Sequence, residues 1–352
     1  LGQMTRGLVE ALGTINVPTS APVLGNIRMD NDLAPEDFIR KYDAAKGTNI
    51  FVSYPHLHDS LLRSTPDEVI DGHRNIVYLA WEQVDGTHYW KDVYAEYDQV
   101  WALSDFAAES LSRTFERTVH SVPCIVDTSL FPPASTKEKH GVDPGLFTFL
   151  FIFDANSSTE RKNPEAAVQA FRSAFRADDR VRLLIKASSA DRMGNRARLQ
   201  RLRDAIGHDP KIEVRVEDLS RDDLYGLVSA SDCYVSLHRG EGFGYTCAEA
   251  MVYGKPVIAT GYSGNMQFMN DANSYPVRYT EVMVNVQEGP FQRGSLWAEP
   301  DVTHAAELMR RVYEHPDEAA TRGERGRVTI ETTLSPAAVG QRVRVLLEGE
   351  AR

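Results

Sequence analysis

His238-Arg239-Gly240-Glu241-Gly242-Phe243-Gly244-Tyr245-Thr246-Cys247-Ala248-Glu249-Ala250-Met251 is the densest chemistry in this 352-residue chain. It follows the apolar run Cys233 to Leu237, which reads as a buried strand, and it opens a helix at Tyr245 and Thr246. Gly240, Gly242 and Gly244 let the backbone turn tightly and approach a ligand without Cβ clashes. The helix start offers backbone N–H groups and the positive end of a dipole, which is a place for a diphosphate. Glu241 and Glu249 bracket that anion site, where carboxylates suit hydrogen bonds from sugar hydroxyls better than contacts with phosphate. Thr246 to Glu249 also has the form of a capping box, in which Glu249 closes the helix start, and both readings stand at this point. Glu241, set among loop glycines, has no such duty. Cys247 occupies the third glycine position of a dinucleotide fingerprint, which speaks against a nicotinamide-dependent dehydrogenase.

Outward from this segment the second half of the chain alternates. Strands are expected at Leu146 to Phe153, Val181 to Ile185, Ile212 to Val216 and Pro256 to Ala259. Between them come a helix from Pro164 to Ala174 with Asn163 as cap, an arginine-rich helix from Arg192 to Ile206, and a helix opened by Ser220-Arg221-Asp222-Asp223. Helices over Val302 to Glu314 and Ser335 to Glu348 close the chain. The first half repeats the scheme with strands at Asn49 to Ser53, Asn75 to Leu79, Gln99 to Leu103 and Val119 to Ile125. There Ser104-Asp105 caps a helix through Ala107 to Phe115. Such alternation indicates parallel βαβ units in two domains. The Pro-, Lys- and Gly-rich stretch from Phe131 to Gly145 is the expected linker. The expected division is 1–140 for the first domain, 141–330 for the second, and 331–352 for a C-terminal helix placed to cross back to the first. The chain opens at Leu1-Gly2-Gln3 without Met, directly into a helical pattern (Met4, Leu8, Leu12), so an upstream strand is expected before this numbering.

Composition narrows the class. Hydrophobic residues make up 42% and charged residues 25%, and 39 Lys plus Arg against 50 Asp plus Glu leave a formal charge of −11. That surplus disfavours a general binder of nucleic acid or of anionic membranes, leaving at most transient membrane contact. Cys124, Cys233 and Cys247 fit neither a disulfide framework nor a zinc cluster, and a cytoplasmic location is expected. The longest clean apolar run, Phe147 to Phe153, is strand-sized.

Glu241-Gly242-Phe243-Gly244, then Glu249-Ala250-Met251, then Gly254-Lys255-Pro256-Val257-Ile258-Ala259, resembles the signature of family-four glycosyltransferases. The resemblance implies an α/β, GT-B fold: two Rossmann-like domains with parallel sheets facing a central cleft, 1–140 binding the acceptor and 141–330 the nucleotide sugar. It implies retaining, metal-independent transfer of a hexose from a nucleoside diphosphate sugar to a hydroxyl acceptor, with no cofactor. By it, Glu249 binds the ribose hydroxyls and Glu241 the transferred sugar. The backbone of Phe243, Gly244 and Tyr245 faces sugar and diphosphate, and Gly242 and Thr246 complete the donor-binding set. Leu1 to Gly7 resembles the end of the family's glycine-rich loop, which brings Gly2 to the donor phosphates.

Positive charge for the leaving diphosphate is expected from Arg161-Lys162-Asn163-Pro164, at a strand-to-helix junction. The run from Phe153 to Pro164 resembles a subset common among polysaccharide-building enzymes. It departs from the commoner pattern, in which Arg precedes Lys by several residues, so which phosphate each contacts stays open. Lys186 is a weaker third cation. Tyr262-Ser263-Gly264-Asn265 fits the same subset and reads either as donor contacts from Gly264 and Asn265 or as ordinary turn chemistry. On the acceptor side, His56 is a candidate base or hydrogen-bond partner. The cluster Pro55-His56-Leu57-His58-Asp59 also invites a metal reading, but no further ligand cluster accompanies it. Trp81 and Glu82 read either as a sugar-stacking pair or as a core residue and a cap. GDP-mannose is favoured by analogy with the subset. The acceptor is a glycan, a glycolipid or a small metabolite. An epimerase of the same fold and a non-catalytic sugar-nucleotide-binding subunit are the alternatives.

Overall fold

The apolar runs of the first half form parallel strands β1 (Thr48–Ser53), β2 (Arg74–Leu79), β3 (Gln99–Ala102) and β4 (Val119–Ser121), in spatial order β1-β2-β3-β4. This computed structural model describes residues 2–19, 47–63, 65, 67–86, 90–188, 193–285 and 294–349. Helix α1 (Gly2–Thr14) precedes the sheet, and α2 (Asp105–Phe115) follows β3. The α2 start is the expected one, since Ser104 caps it by accepting from Ala107 N, while Glu116 ends it at a left-handed φ of 52°. The strand expected over Val119 to Ile125 stops at Ser121. The core of this unit gathers Phe51, Val77, Leu79, Trp81, Val100 and Leu111.

The second half carries β5 (Phe147–Phe153), α3 (Pro164–Ala174), β6 (Val181–Ala187), α4 (Met193–Ile206), β7 (Ile212–Val216), α5 (Arg221–Ala230), β8 (Cys233–Ser236), α6 (Tyr245–Val252), β9 (Val257–Thr260) and β10 (Tyr275–Val277). These strands form one parallel sheet in the order β10-β9-β8-β5-β6-β7. β5 is apolar at nearly every position because helices cover both faces of a parallel sheet. Phe149, Phe151, Phe171, Leu183, Ile185 and Val235 centre its core. An antiparallel ribbon of β11 (Tyr279–Met283) and β12 (Leu296–Pro300) follows, then α7 (Val302–Glu314) and α8 (Pro316–Thr333).

The chain divides into two compact units, Leu1–Val126 with Leu334–Arg352, and Asp127–Thr333. The last helix, α9 (Pro336–Glu348), packs on α1, so closely at Gly340 that a Cβ there would lie 2.7 Å from the Ala11 carbonyl oxygen. Val126 N donates to Leu334 O over 2.8 Å where the chain leaves and re-enters this unit. The stretch from Phe131 to Gly145 lies inside the second unit. Phe131 stacks on Tyr225 with centroids 4.2 Å apart, and Lys137 pairs with Asp232 at 2.6 Å. Its polar, Pro-rich composition conceals those contacts. All three cysteines are buried, and none is joined in a disulfide.

Candidate active site

Brief strands ending in glycine loops bring chemistry to the carboxyl edge of the second sheet, where parallel α/β sheets bind ligands. After β8 the chain runs through His238 to Glu241 and enters α6 at Gly244, whose left-handed φ of 87° makes it the cap residue. The loop after β9 locks this segment from beside. Gly264 N donates to Glu241 O at 2.9 Å, and Glu241 N donates to Ser263 Oγ at 2.8 Å. Ser263 holds an unusual φ of 74° to do so. Gly264 must be glycine, because a Cβ there would fall 1.9 Å from the Gly242 carbonyl oxygen.

His238 and Asn265 tie the two loops together from below, and both are 0% exposed. His238 Nε2 lies 3.1 Å from Asn265 Oδ1 and 3.3 Å from Tyr262 O, and its Nδ1 is 3.1 Å from Ser236 Oγ. Two carbonyl oxygens at Nε2 assign the proton there and leave Nδ1 as the acceptor from Ser236. Burial lowers the His238 pKa, against the opposing pull of Glu241, and favours the neutral ring. Asn265 Nδ2 donates to Thr260 O at 2.9 Å. The Asn265 side-chain amide is therefore spent inside the protein, and the expectation that it reaches a donor sugar is corrected: it is a clamp. Neither His238 nor Ser263 stood out as a site residue in the sequence. Both nonetheless lie within the two stretches that drew attention, just beyond the ends of β8 and β9.

Arg161 and Lys162 sit on a single helical turn, Thr159–Lys162, capped by Ser158 and ended by Asn163 at φ 52° ahead of the helix-starting Pro164. Lys162 Nζ meets Glu241 Oε1 at 2.5 Å, and Arg161 Nη1 lies 3.2 Å from Glu241 Oε2. Arg161 is further fixed by donating to Gly240 O at 2.6 Å and to Ser157 Oγ at 3.0 Å. Burial pushes the Glu241 pKa up, but the charges of Lys162 and Arg161 outweigh it and bring it down to about 2. The carboxylate stays ionised, and with two cations against one anion the cluster keeps a net positive charge. The sequence assigned cations and acid separately; the fold bonds them to one another.

Glu249 lies on α6, only 5% exposed, with the Tyr225 hydroxyl donating to its Oε1 over 3.4 Å. The capping box does not form. Gly244 occupies the cap position without a side-chain bond, which puts Thr246 inside the first turn and frees Glu249 from closing the helix. The Phe243 ring packs on Phe268 and Tyr245, each at 5.1 Å between centroids, so the side chain belongs to the core, and Gly242 and Gly244 beside it are buried as well. Lys186 ends β6 with 6% exposure; burial lowers its pKa, against Asp218, Glu217 and Asp154.

In the first unit, Gly2 is the opening residue of α1. His56 and Glu82, at the carboxyl ends of β1 and β2, interact electrostatically, and partial burial of His56 lowers its pKa against the pull of Glu82. Trp81 is 1% exposed and packs edge-on against Trp90 at 5.0 Å, so it is a core residue with no face for a sugar to stack on. His58 is buried and bonded to the Tyr97 hydroxyl at 2.7 Å. Among the described residues no three His, Cys, Asp or Glu side chains converge as a metal site.

Two α/β units with parallel sheets, and a glycine loop whose acid is paired with a buried arginine and a half-buried lysine, define a glycosyltransferase of the GT-B class. Residues 136–329, more than half of the chain, match the model for glycosyl transferases group 1, and the chain belongs to that family. It is 25% identical over 287 residues, 78% of this chain and 68% of the other, to the GDP-mannose-dependent monoacylated alpha-(1-6)-phosphatidylinositol monomannoside mannosyltransferase of Corynebacterium glutamicum. Its fold is similar to that of a glycosyltransferase from Rickettsia africae, with TM-score 0.69 and 18% identity over 99% of this chain and 95% of that one. Anabaena Alr3699/HepE in complex with UDP is also similar, with TM-score 0.64 and 15% identity over 80% and 74% of the two chains. The protein is thus an enzyme that takes sugar from a nucleotide sugar. No described helix is long and apolar enough to cross a membrane.

Proposed function

We propose that the protein is a retaining, metal-independent hexosyltransferase of the cytoplasm, with GDP-mannose as its preferred donor and a glycan, glycolipid or small hydroxyl metabolite as acceptor. The observation that carries this reading is the Arg161–Lys162–Glu241 cluster beside the amino end of α6. In this reading the donor diphosphate lies against Arg161, Lys162 and the start of α6. Glu249 accepts from the ribose hydroxyls and Glu241 from the hexose hydroxyls. The bond from C1 to the phosphate oxygen breaks, its electron pair staying on the diphosphate, where fixed cations stabilise the developing charge. The acceptor oxygen bonds to C1 on the same face, and the departing phosphate takes its proton. Arg161 and Lys162 supply the positive charge that a divalent ion would otherwise provide. A carboxyl with a pKa of about 2 is suited to accepting hydrogen bonds and unsuited to donating a proton. His56, with Glu82 beside it, orients the acceptor hydroxyl. The mannosyltransferase relative supports mannose and guanosine.

The test is turnover of a panel of nucleotide sugars with mannoside acceptors in excess chelator, followed by NMR of the product anomer. GDP-mannose should turn over fastest and undiminished by chelator, giving an α-linked product. Activity that vanishes with chelator, or a β-linked product, would overturn the mechanism; preference for a UDP-sugar would overturn the donor.

Glu249→Ala has a narrower expected effect. Losing a charged acceptor for ribose should weaken GDP binding by about tenfold to a hundredfold. Dideoxy-GDP, which lacks both hydroxyls, should bind equally to the unchanged protein and the variant. Calorimetry decides it, since equal weakening of both nucleotides would show a general collapse of the site.

A further inference from the structure

Two residues before Glu241, the half-buried Arg239 bonds in two directions at once. On one side its backbone N–H donates to Arg161 O at 2.7 Å, and its Nη1 donates to Glu160 O at 2.6 Å. Those carbonyls belong to the single turn Thr159–Lys162 that carries the two cations. The last carbonyls of a helix lack partners within it. Here the residue whose N–H would reach Glu160 O is Pro164, which has none to give. An arginine side chain is suited to take up a carbonyl left over in this way.

On its other side Arg239 is held by β12. Its Nε and Nη2 donate to the two carboxylate oxygens of Glu299, at 2.7 and 3.1 Å. Its Cζ lies 5.2 Å from the centroid of the buried Trp297 ring, and its carbonyl oxygen accepts from Ala298 N at 2.9 Å. Arg161 returns the contact by donating to Gly240 O, next along the glycine loop. Residues 160–162 and 239–241 thus lie bonded side by side, with Arg239 fastening the pair to β12.

We propose that Arg239 is a positioning residue for transfer. It holds the Thr159–Lys162 turn against the glycine loop so that Arg161 and Lys162 meet the leaving diphosphate, which rests on the reading proposed above for those two cations. Its guanidinium grips Glu160 O and Glu299, so it acts through Arg161 and Lys162.

The test combines kinetics of Arg239→Ala and Glu299→Gln, each alone and with Lys162→Ala, using the nucleotide sugar that turns over fastest. Hydrogen exchange over residues 157–163 is the second readout. Arg239→Ala should lower kcat about tenfold to a hundredfold and change KM less than about threefold, since a displaced cation is felt most as charge develops on the diphosphate. With Lys162→Ala already present, the same change should cost clearly less than it does alone, because the two act as one unit. Costs that multiply, or an undiminished kcat in Arg239→Ala, would overturn the proposal. Should Arg239→Ala lose its cooperative thermal transition, Glu299→Gln carries the test: a loss of about threefold to tenfold is expected, shrinking with Lys162→Ala, and an unchanged kcat contradicts it. If Lys162→Ala transfers normally, the donor reading falls; faster exchange over 157–163 in the Arg239 or Glu299 variant would then uphold the positioning role, and unchanged exchange would overturn it.

Discussion

Glu241→Gln is expected to reduce transfer by about a hundredfold or more while GDP binds at least as tightly as it does to the unchanged protein. The two effects have one origin. Glu241 holds Lys162 at 2.5 Å and Arg161 at 3.2 Å, neutralising one of two cations, of which Arg161 is buried and Lys162 half-buried. Replacing the carboxylate with an amide leaves both charges to the diphosphate, which raises attraction for the nucleotide, while the strong acceptor for hexose hydroxyls is lost from the reacting end. The variant should also lose stability, by about 3–5 kcal/mol, because removing one partner strands buried charge. GDP should restore more of the melting temperature in the variant than in the unchanged protein. The pH dependence has a definite sign. A carboxyl whose pKa is lowered from 4.5 to about 2 contributes stability that is complete above pH 4.5 and lost as the pH falls toward 2. Glu241→Gln should lack that part of the acid transition, as read by melting temperature against pH. Equal loss of GDP binding and transfer would place Glu241 on the nucleotide instead.

Gly264→Ala is expected to be nearly as damaging, by packing alone. The added carbon would lie 1.9 Å from the Gly242 carbonyl oxygen and 2.6 Å from Phe243 N, both backbone atoms of the donor loop. Backbone cannot swing aside as a side chain can, so the two loops must part and take Glu241 with them. Overpacking of this kind costs about 1–3 kcal/mol. A misplacement of about 1 Å at the reacting groups costs about a hundredfold in rate. Gly13→Ala is the contrasting substitution: a Cβ there meets nothing within 4 Å, and at the carboxyl end of α1 it should be neutral or slightly stabilising, by less than about 1 kcal/mol. Comparable losses in the two variants would show that the tight contact at Gly264 does not govern the site.

The features that were legible in the sequence are those that local chemistry determines. Apolar runs became β5 to β9, and the hydroxyls of Ser104 and Ser220 cap the helices they were expected to cap. Glu241, Glu249, Arg161 and Lys162 were singled out by their types and by the glycines around them. Their bonding was not legible, because Lys162 and Glu241 lie 79 residues apart and only the β5–β8 neighbourhood brings them together. Burial was the second blind spot. Asn265 and Trp81 have side chains that could serve a sugar, yet both are enclosed, and nothing in a single sequence separates a loop amide that clamps from one that binds. Helix α8 went unrecognised because it buries Ala319, Gly323, Gly326 and Ile330, a face made largely of glycine. At Gly323 a Cβ would stand 2.0 Å from the Gly254 carbonyl oxygen, so the residue that reads as a helix breaker is the one the packing requires. The Phe131 to Gly145 stretch failed in the opposite sense, with a linker's composition but an aromatic stack and an ion pair of its own.

The most direct measurement is a crystal structure of the protein with the unreactive donor GDP-2-fluoromannose. Arg161 and Lys162 should then lie on the diphosphate at the start of α6, Glu249 on the ribose hydroxyls, and the Glu241 carboxylate on the hexose. A complex in which Glu241 keeps both cations and the diphosphate lies elsewhere, or in which Glu241 meets the ribose and Glu249 makes no donor contact, would contradict the division of labour between the two acids.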